Sequence, residues 1–171
     1  MKLNTKIFGE TIYSKEDGLN FDTVMIDFNG KRNACSGMVF EGLTNKQIEM
    51  AESLVNSLEQ LDKKARELFL EFYEEERGVV APFVHQHFNE YGSEIRARIF
   101  EKLQITEQND RVFLENLEFG SFSISKDDKN EGIWITMDYN LIWEDGWTFT
   151  DQILAIRFNE KLEYTWCGHE S

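Results

Sequence analysis

The order of hydrophobic patterns along the chain is the feature that most restricts its fold. Apolar residues alternate with a period of two near both ends, while the centre has the three-and-four spacing of amphipathic helices. The strand-like blocks run from about residue 6 to 42 and from 118 to 166, and the helical block from 44 to about 117. Strands, then helices, then strands are typical of an α+β domain, and βαβ alternation is missing.

The first block predicts a β-hairpin. Val24, Ile26 and Phe28 share one face of a strand, and Asn29-Gly30 follows them directly. Asn-Gly between two strand-like runs indicates a two-residue turn, because both residues tolerate positive φ. We expect the return strand at about 34–40, and a further strand at about 7–13 that joins the same sheet.

The central block predicts several helices. Thr44 is a suitable N-cap, and Gln47 three residues later completes a capping box. A second helix is predicted to start near Asp62 and to end at Gly78. The segment after Pro82 is ambiguous, and helical spacing resumes between residues 95 and 117.

The last block predicts strands joined by polar turns, with Trp134 and Trp166 in strand-like runs and therefore in the core. Because hairpin links favour antiparallel pairing, we predict antiparallel sheets formed by the N- and C-terminal hairpins, with the central helices packed on one face. The chain has a single proline and no proline-rich linker, so residues 1–171 are expected to form one α+β domain.

The charge of the chain restricts its partners. Lys and Arg total 18 against 32 Asp and Glu, which gives a formal net charge of −14. Such a field repels phosphate, so nucleic acid and anionic membranes are disfavoured, whereas a basic protein would be attracted. Solubility alone is the other explanation of the charge. The chain has no apolar signal region and no run of about 18 apolar residues, so the cytoplasm is the expected location.

Two groups of residues are candidates for binding a protein partner. The glutamates at 74–76 end the second predicted helix, where they oppose the helix dipole, and further glutamates extend them along its outer face. Two tryptophans flank the predicted turn at 144–146, and tryptophan is enriched at interfaces. A solvated charge run and buried aromatics are the alternatives. The predicted partner-binding residues are Glu67, Glu71, Glu74, Glu75, Glu76, Trp143 and Trp147.

The sequence has no motif for catalysis, and no cofactor or metal is predicted. It has no G-x-S-x-G and no phosphate-binding glycine loop. His85 and His87 would share a face only in an extended segment, and a zinc site needs further ligands. Cys35 and Cys167 lack ligand spacing and suggest buried thiols in a reducing compartment, which could pair only if the chain ends meet. The acidic residues at 127–131 do not have EF-hand spacing.

Three stretches carry a resemblance to a known family. They are IFGE at 7–10 with the strand pair around 27–31, LEQLDKKAR at 58–66 with the acidic end at 72–76, and the closing pair at 154–158 and 162–164. In these stretches the chain resembles the bacterial family catalogued as domain of unknown function two-thousand-and-four. The resemblance implies no activity and no catalytic residues, because the family has none established.

These features lead to one functional hypothesis and two alternatives. Small acidic α+β proteins also occur as immunity proteins encoded beside bacterial toxins, which is an analogy of class rather than of motif. We therefore expect a cytoplasmic protein-binding module, such as an immunity protein that covers the basic active site of a toxin with an acidic surface. The alternatives are an enzyme with a nonstandard carboxylate or histidine site and a structural dimerising domain.

Overall fold

The computed structural model describes residues 1–28, 30–127, 131–142 and 148–170. Within these residues the elements follow the predicted order of strands, helices and strands, which confirms the mixed α and β composition. The elements are β1 (Lys2–Thr5), β2 (Gly9–Ile12), β3 (Leu19–Phe28), β4 (Lys31–Val39), α1 (Asn45–Asn56), α2 (Leu58–Glu74), α3 (Val80–Asn89), α4 (Gly92–Leu103), α5 (Asp110–Glu115), β5 (Glu118–Lys126), β6 (Ile133–Asn140), β7 (Ile153–Asn159) and β8 (Tyr164–Glu170).

Strands from both ends of the chain form one mixed sheet. Its order is β3-β4-β5-β6-β7-β8, and every neighbouring pair is antiparallel except β4 and β5, which are parallel. The prediction of purely antiparallel sheets is therefore wrong at this pair. The physical reason is the connection: a parallel pair needs a long crossover, and the helical block between β4 and β5 provides it.

The first two strands form a separate hairpin, so the prediction that a strand at 7–13 joins the main sheet is wrong. The hairpin is held by contacts with α1 and with a side chain of β3 instead. The backbone N–H of Asn4 donates to the Glu52 carboxylate of α1 at 2.7 Å. Phe8, in the turn, packs on Phe21 of β3 with ring centroids 4.5 Å apart. These contacts attach the hairpin to the rest of the protein without strand pairing to the six-stranded sheet.

One face of the six-stranded sheet, the inner face, carries the core. Tyr139 of β6 packs edge-on against Phe69 of α2, with ring centroids 5.1 Å apart. Phe83 of α3 makes a similar contact with His169 of β8 at 5.4 Å. Helices thus pack on one face, as predicted. The buried inner-face residues are Phe21, Ile26, Phe28, Cys35, Val39, Phe119, Phe122, Ile124, Ile133, Ile135, Met137, Tyr139, Leu154, Ile156 and Phe158.

The start of the first helix follows its predicted local chemistry. The Thr44 hydroxyl accepts from the Gln47 N–H at 3.3 Å, and the Thr44 N–H donates to the Gln47 side chain at 2.9 Å. The predicted capping box is therefore confirmed. The second helix begins at Leu58, four residues before the predicted start near Asp62.

The end of α2 differs from its prediction. The helix ends at Glu74, and Glu76 rather than Gly78 takes the left-handed position after it, with φ of 53°. The Arg77 N–H then donates to the Phe72 carbonyl at 2.8 Å, which completes a Schellman-type end. Gly78 is also left-handed but lies two residues further on.

The first sheet hairpin has the predicted connection. Phe28 pairs with Lys31, which leaves two residues between the strands, and Gly30 has φ of 76°. Asn29 itself lies outside the described residues. The two cysteines are both free, on β4 and β8. Four strand spacings of about 4.8 Å separate these strands, so the thiols are too far apart to pair.

Candidate functional site

The acidic end of α2 is exposed but partly neutralised within the chain. Arg77 lies 3.6 Å from the Glu71 carboxylate and 2.9 Å from that of Glu75. Arg111 of α5 lies 3.5 Å from Glu74. Three of the five predicted glutamates therefore face an arginine of their own chain, and the local negative field is weaker than the sequence suggests.

The remaining predicted partner-binding residues fall into two groups. Glu67 and Glu76 are exposed, so they add to the acidic surface at α2. Trp143 and Trp147 lie outside the described residues, and their role as interface residues stays a prediction. The five glutamates thus lie along the C-terminal half of α2 and just beyond its end.

The two neighbouring histidines point in opposite directions, because the segment after Pro82 is helical. His85 is exposed, whereas His87 is fully buried. The Phe83 carbonyl lies 2.8 Å from Nδ1 of His87 and can only accept, so Nδ1 carries the proton. Nε2 of His87 then accepts from the Thr150 hydroxyl at 2.8 Å. Burial lowers the pKa of His87, which keeps the ring neutral in the core.

The hydrogen bonds of His87 continue toward β8. The Thr150 hydroxyl also accepts from the Gln152 N–H at 3.3 Å, and the Gln152 side chain bonds to His169. Burial lowers the pKa of His169 as well. This network connects α3, the segment before β7 and the last strand, so we assign it a structural role.

A second buried network holds α2 against the sheet. Asp62 is fully buried and accepts from Nε of Arg66 at 3.0 Å and from the Tyr139 hydroxyl at 3.0 Å. Nη1 of Arg66 donates to the Leu117 carbonyl at 2.7 Å. Burial, followed by the nearby Asp62 charge, raises the pKa of Tyr139 well above its usual value. These groups hold α2 against the sheet, so we assign them a structural role.

The opposite face of the six-stranded sheet, which we name the outer sheet face, is the candidate functional site. Cross-strand pairing places on it the side chains that alternate with those of the inner face. Its main residues are Met25, Asp27, Arg32, Ala34, Ser36, Met38, Ser121, Ser123, Ser125, Trp134, Thr136, Asp138, Arg157 and Trp166.

Large apolar side chains are exposed on the outer sheet face. Met25 is 55% exposed, Met38 39% and Phe40, just beyond β4 on the same side, 44%. Trp134 and Trp166 are half-buried on this face, so the prediction that both belong to the core is wrong. Alternation puts them opposite the helices, where aromatic side chains stay accessible. Several large apolar side chains exposed on one face of a sheet are typical of an interaction surface.

Arg157 lies between the two tryptophans. Its guanidinium carbon is 4.6 Å from the ring centroid of Trp134 and 5.0 Å from that of Trp166. Nε of Arg157 donates to the Thr136 hydroxyl at 3.1 Å. The Trp166 ring lies across its own strand, since a Cβ at Gly168 would come within 1.9 Å of it. The stack forms a rigid aromatic and cationic platform on β6, β7 and β8.

A polar depression lies beside this platform and contains Asp138. The Asp138 carboxylate accepts from the Ser121 hydroxyl at 2.7 Å. Burial, assisted by the charge of Glu170, raises the pKa of Asp138 above its usual value, and the bond from Ser121 opposes the rise. The depression has a volume of about 380 Å³ and is lined by Asn20, Phe21, Ser36, Gly37, Met38, Ser121, Phe122, Ser123 and Asp138.

The period-two run of β6 contained the signal for this site. Trp134, Thr136 and Asp138 alternate with apolar residues there, which places three side chains capable of polar contacts on one face. No motif in the sequence points to Asp138, because a lone aspartate in a strand matches none.

The histidines and the depression do not form one site. His85 lines a separate hollow of about 480 Å³ beside α3, together with Tyr73, Glu90 and Asp110. Among the described residues, no group of three or more His, Cys, Asp and Glu side chains could hold a metal ion. None of the helices in the described ranges is both long and apolar enough to cross a membrane.

Comparisons with protein-family models, curated proteins and solved structures found no match to this chain. The resemblance described from residues 7–10, 58–66 and 154–164 therefore stays a prediction.

Proposed function

We propose that this chain is a cytoplasmic protein-binding module that docks a basic protein on its outer sheet face. An immunity protein that covers the active site of a toxin would act in this way. The observation that carries the proposal is the exposure of Met25, Met38 and Phe40 on the side of the sheet opposite the helices. Covering solvated apolar side chains with a partner is favourable in free energy.

The charge of the whole chain supports a basic partner. At −14, two copies of the chain repel one another, which disfavours the dimerising alternative, and nucleic acid is repelled for the same reason. A basic protein would be steered toward the surface and bind faster at low ionic strength. The glutamates of α2 fit this steering role better than a buried contact, since Arg77 and Arg111 already pair with three of them.

The alternative of an enzyme with a carboxylate and histidine site is not favoured. Asp138 does have a raised pKa in a depression, as a catalytic carboxyl often has. However, His87 is enclosed in the core, His85 lies in a different hollow, and His169 packs on Phe83 of the helical layer. The described part of the chain therefore supplies no histidine beside Asp138, and an enzyme would have to use the carboxyl without one.

Co-expression with the product of the adjacent gene tests the proposal. We expect growth rescue if that product is toxic, and a complex by calorimetry. A Phe40→Glu variant should bind at least about tenfold more weakly, because a charge would then face the apolar contact. Ile12→Glu is the matched control, since Ile12 is 70% exposed but lies on the separate hairpin. No complex and no rescue would contradict the proposed function, and equal loss in both variants would place the interface elsewhere.

A further inference from the structure

The depression around Asp138 has a chemistry of its own, distinct from the apolar rim of the outer sheet face. We propose that it is an anchor pocket for a lysine side chain of the bound partner. This inference rests on the proposed function, because it names the group of a basic partner that the outer sheet face recognises. Its test nevertheless uses the isolated protein and no partner.

The register of the sheet brings the polar groups of the pocket together. Ser36 pairs with Ser121 across β4 and β5, and Ser121 pairs with Asp138 across β5 and β6. Ser123 is two residues along β5 from Ser121 and lines the same depression. Three hydroxyls and one carboxylate thus converge on adjacent strands, which are about 4.8 Å apart.

The hydrogen bonds already made leave acceptors for an incoming donor. Ser121 occupies one oxygen of Asp138, Oδ2. From the residues that the structure describes, Oδ1 of Asp138 accepts no hydrogen bond, and the hydroxyls of Ser36 and Ser123 make none. Each of these three oxygens can accept. An ammonium group has three N–H donors and no acceptor, so this set of groups matches it.

The same geometry favours lysine over arginine. A guanidinium binds a carboxylate best through two parallel hydrogen bonds, which need both carboxylate oxygens. Ser121 already donates to Oδ2 of Asp138, so a guanidinium that binds both oxygens has to share Oδ2 with Ser121. An ammonium is a compact charge that can bind Oδ1 alone and reach the serines with its other donors.

The walls of the depression suit the rest of a lysine side chain. Met38 is 39% exposed and lines the depression, where its thioether side chain can cover a four-carbon stem. The cation of the platform, Arg157, is held between Trp134 and Trp166 and donates to Thr136. It therefore does not neutralise Asp138 by a direct ion pair. A partly desolvated carboxyl gains more from a cation than an exposed one, since burial has removed its water.

The test is a nuclear magnetic resonance titration of the isolated protein with acetyl-lysine methylamide at constant ionic strength. We expect saturable shifts of the amides of Ser36, Ser121, Ser123 and Asp138. Acetyl-norleucine methylamide, which lacks the ammonium, should bind with an affinity at least about tenfold lower. Asp138→Asn protein should bind the lysine probe with a similarly reduced affinity. Asp27→Asn is the matched control: it removes the same charge from an exposed position of the same face and should change the affinity less than about twofold.

Three outcomes would overturn the inference. They are unsaturable shifts, equal binding of the lysine and norleucine probes, and unchanged lysine binding in Asp138→Asn. Tighter binding of acetyl-arginine methylamide would overturn the preference for lysine. The probe comparison on the unaltered protein decides the matter even if Asp138→Asn fails to fold. Failure here leaves the co-expression and calorimetry of the proposed function unaffected, so the two can fail separately.

Discussion

At the scale of the residue, environment decided the role of several side chains whose type alone was ambiguous. Trp134 and Trp166 have the propensity of core residues, yet they hold Arg157 on the outer sheet face. Asp62 has the appearance of a solvated residue near a helix start, yet it is fully buried against Arg66. A residue type carries a preference for burial, and only the packing of neighbouring elements shows which side of a strand or helix is covered.

Asp62 gives a prediction at this scale. Asp62→Asn should destabilise the fold by about 3 kcal/mol or more, because it leaves the nearly buried Arg66 guanidinium without its counter-charge. Urea unfolding should show a lower midpoint with an unchanged slope. Glu67→Gln, on the exposed side of the same helix, should alter the free energy of unfolding by less than about 0.5 kcal/mol. A loss below about 1 kcal/mol in Asp62→Asn would show that the pair contributes little.

At the scale of the element, local chemistry located the capped start of α1 but not the two ends of α2. The Thr44 capping box is satisfied within four residues, so the sequence was sufficient to locate the start of α1. The sequence predicts that α2 ends at Gly78, because glycine is the usual left-handed residue after a helix. Glu76 takes that position instead, since Val79 and Val80 must turn into the core to start α3. Tertiary packing therefore imposed a backbone conformation that Glu76 does not favour.

Glu76 gives a prediction at this scale. Glu76→Gly should stabilise the protein by about 0.5–1 kcal/mol, because it relieves left-handed strain and removes an acidic charge from a helix C-terminus. Thermal unfolding is the measurement. Glu75→Gly is the control, because Glu75 has φ of −87° and pairs with Arg77, so this change should destabilise. Destabilisation in both variants would contradict the strain argument.

At the scale of the whole molecule, one parallel pair determines the architecture. Pairing of β4 with β5 joins the two ends of the chain into a six-stranded sheet, and the helices between them cover one of its faces. The opposite face then remains accessible and carries the exposed methionines and the Asp138 depression. The net charge of −14 acts over the whole surface and selects the sign of a partner, while the depression selects a particular group.

The pH dependence of stability belongs to this scale, because the His87 network joins helix, loop and sheet. Folding lowers the pKa of His87 below its usual value of 6.5, so the unfolded chain binds more protons. Stability from this group is complete above pH 6.5 and is lost as the pH falls below it. We expect the free energy of unfolding to decrease as the pH falls below about 6.5, by at most about 1.4 kcal/mol per pH unit for one histidine.

Urea unfolding at several pH values measures this slope. His87→Asn should be less stable at neutral pH. Below about pH 6.5 its free energy of unfolding should depend less on pH, since the variant lacks the group that gains a proton on unfolding. His85→Gln, which changes an exposed residue of the same helix, should retain the slope of the unaltered protein. If the slope persists in His87→Asn, other groups cause the pH dependence of stability. His169 is one of them, because folding also lowers its pKa.

The sequence by itself determined the type and order of the three blocks, the two-residue turn before Lys31, the capping box and the strong negative charge. Each of these depends on neighbours within a few positions or on composition alone. Only the tertiary structure decided the β4–β5 pairing, the separate N-terminal hairpin, the burial of Asp62 and His87 and the outer position of Trp134, Asp138 and Trp166. The physical reason is that a period of two defines two faces of a strand but does not show which face other elements cover. In addition, β4 and β5 are separated by residues 40–117, so their pairing depends on how the helices between them pack.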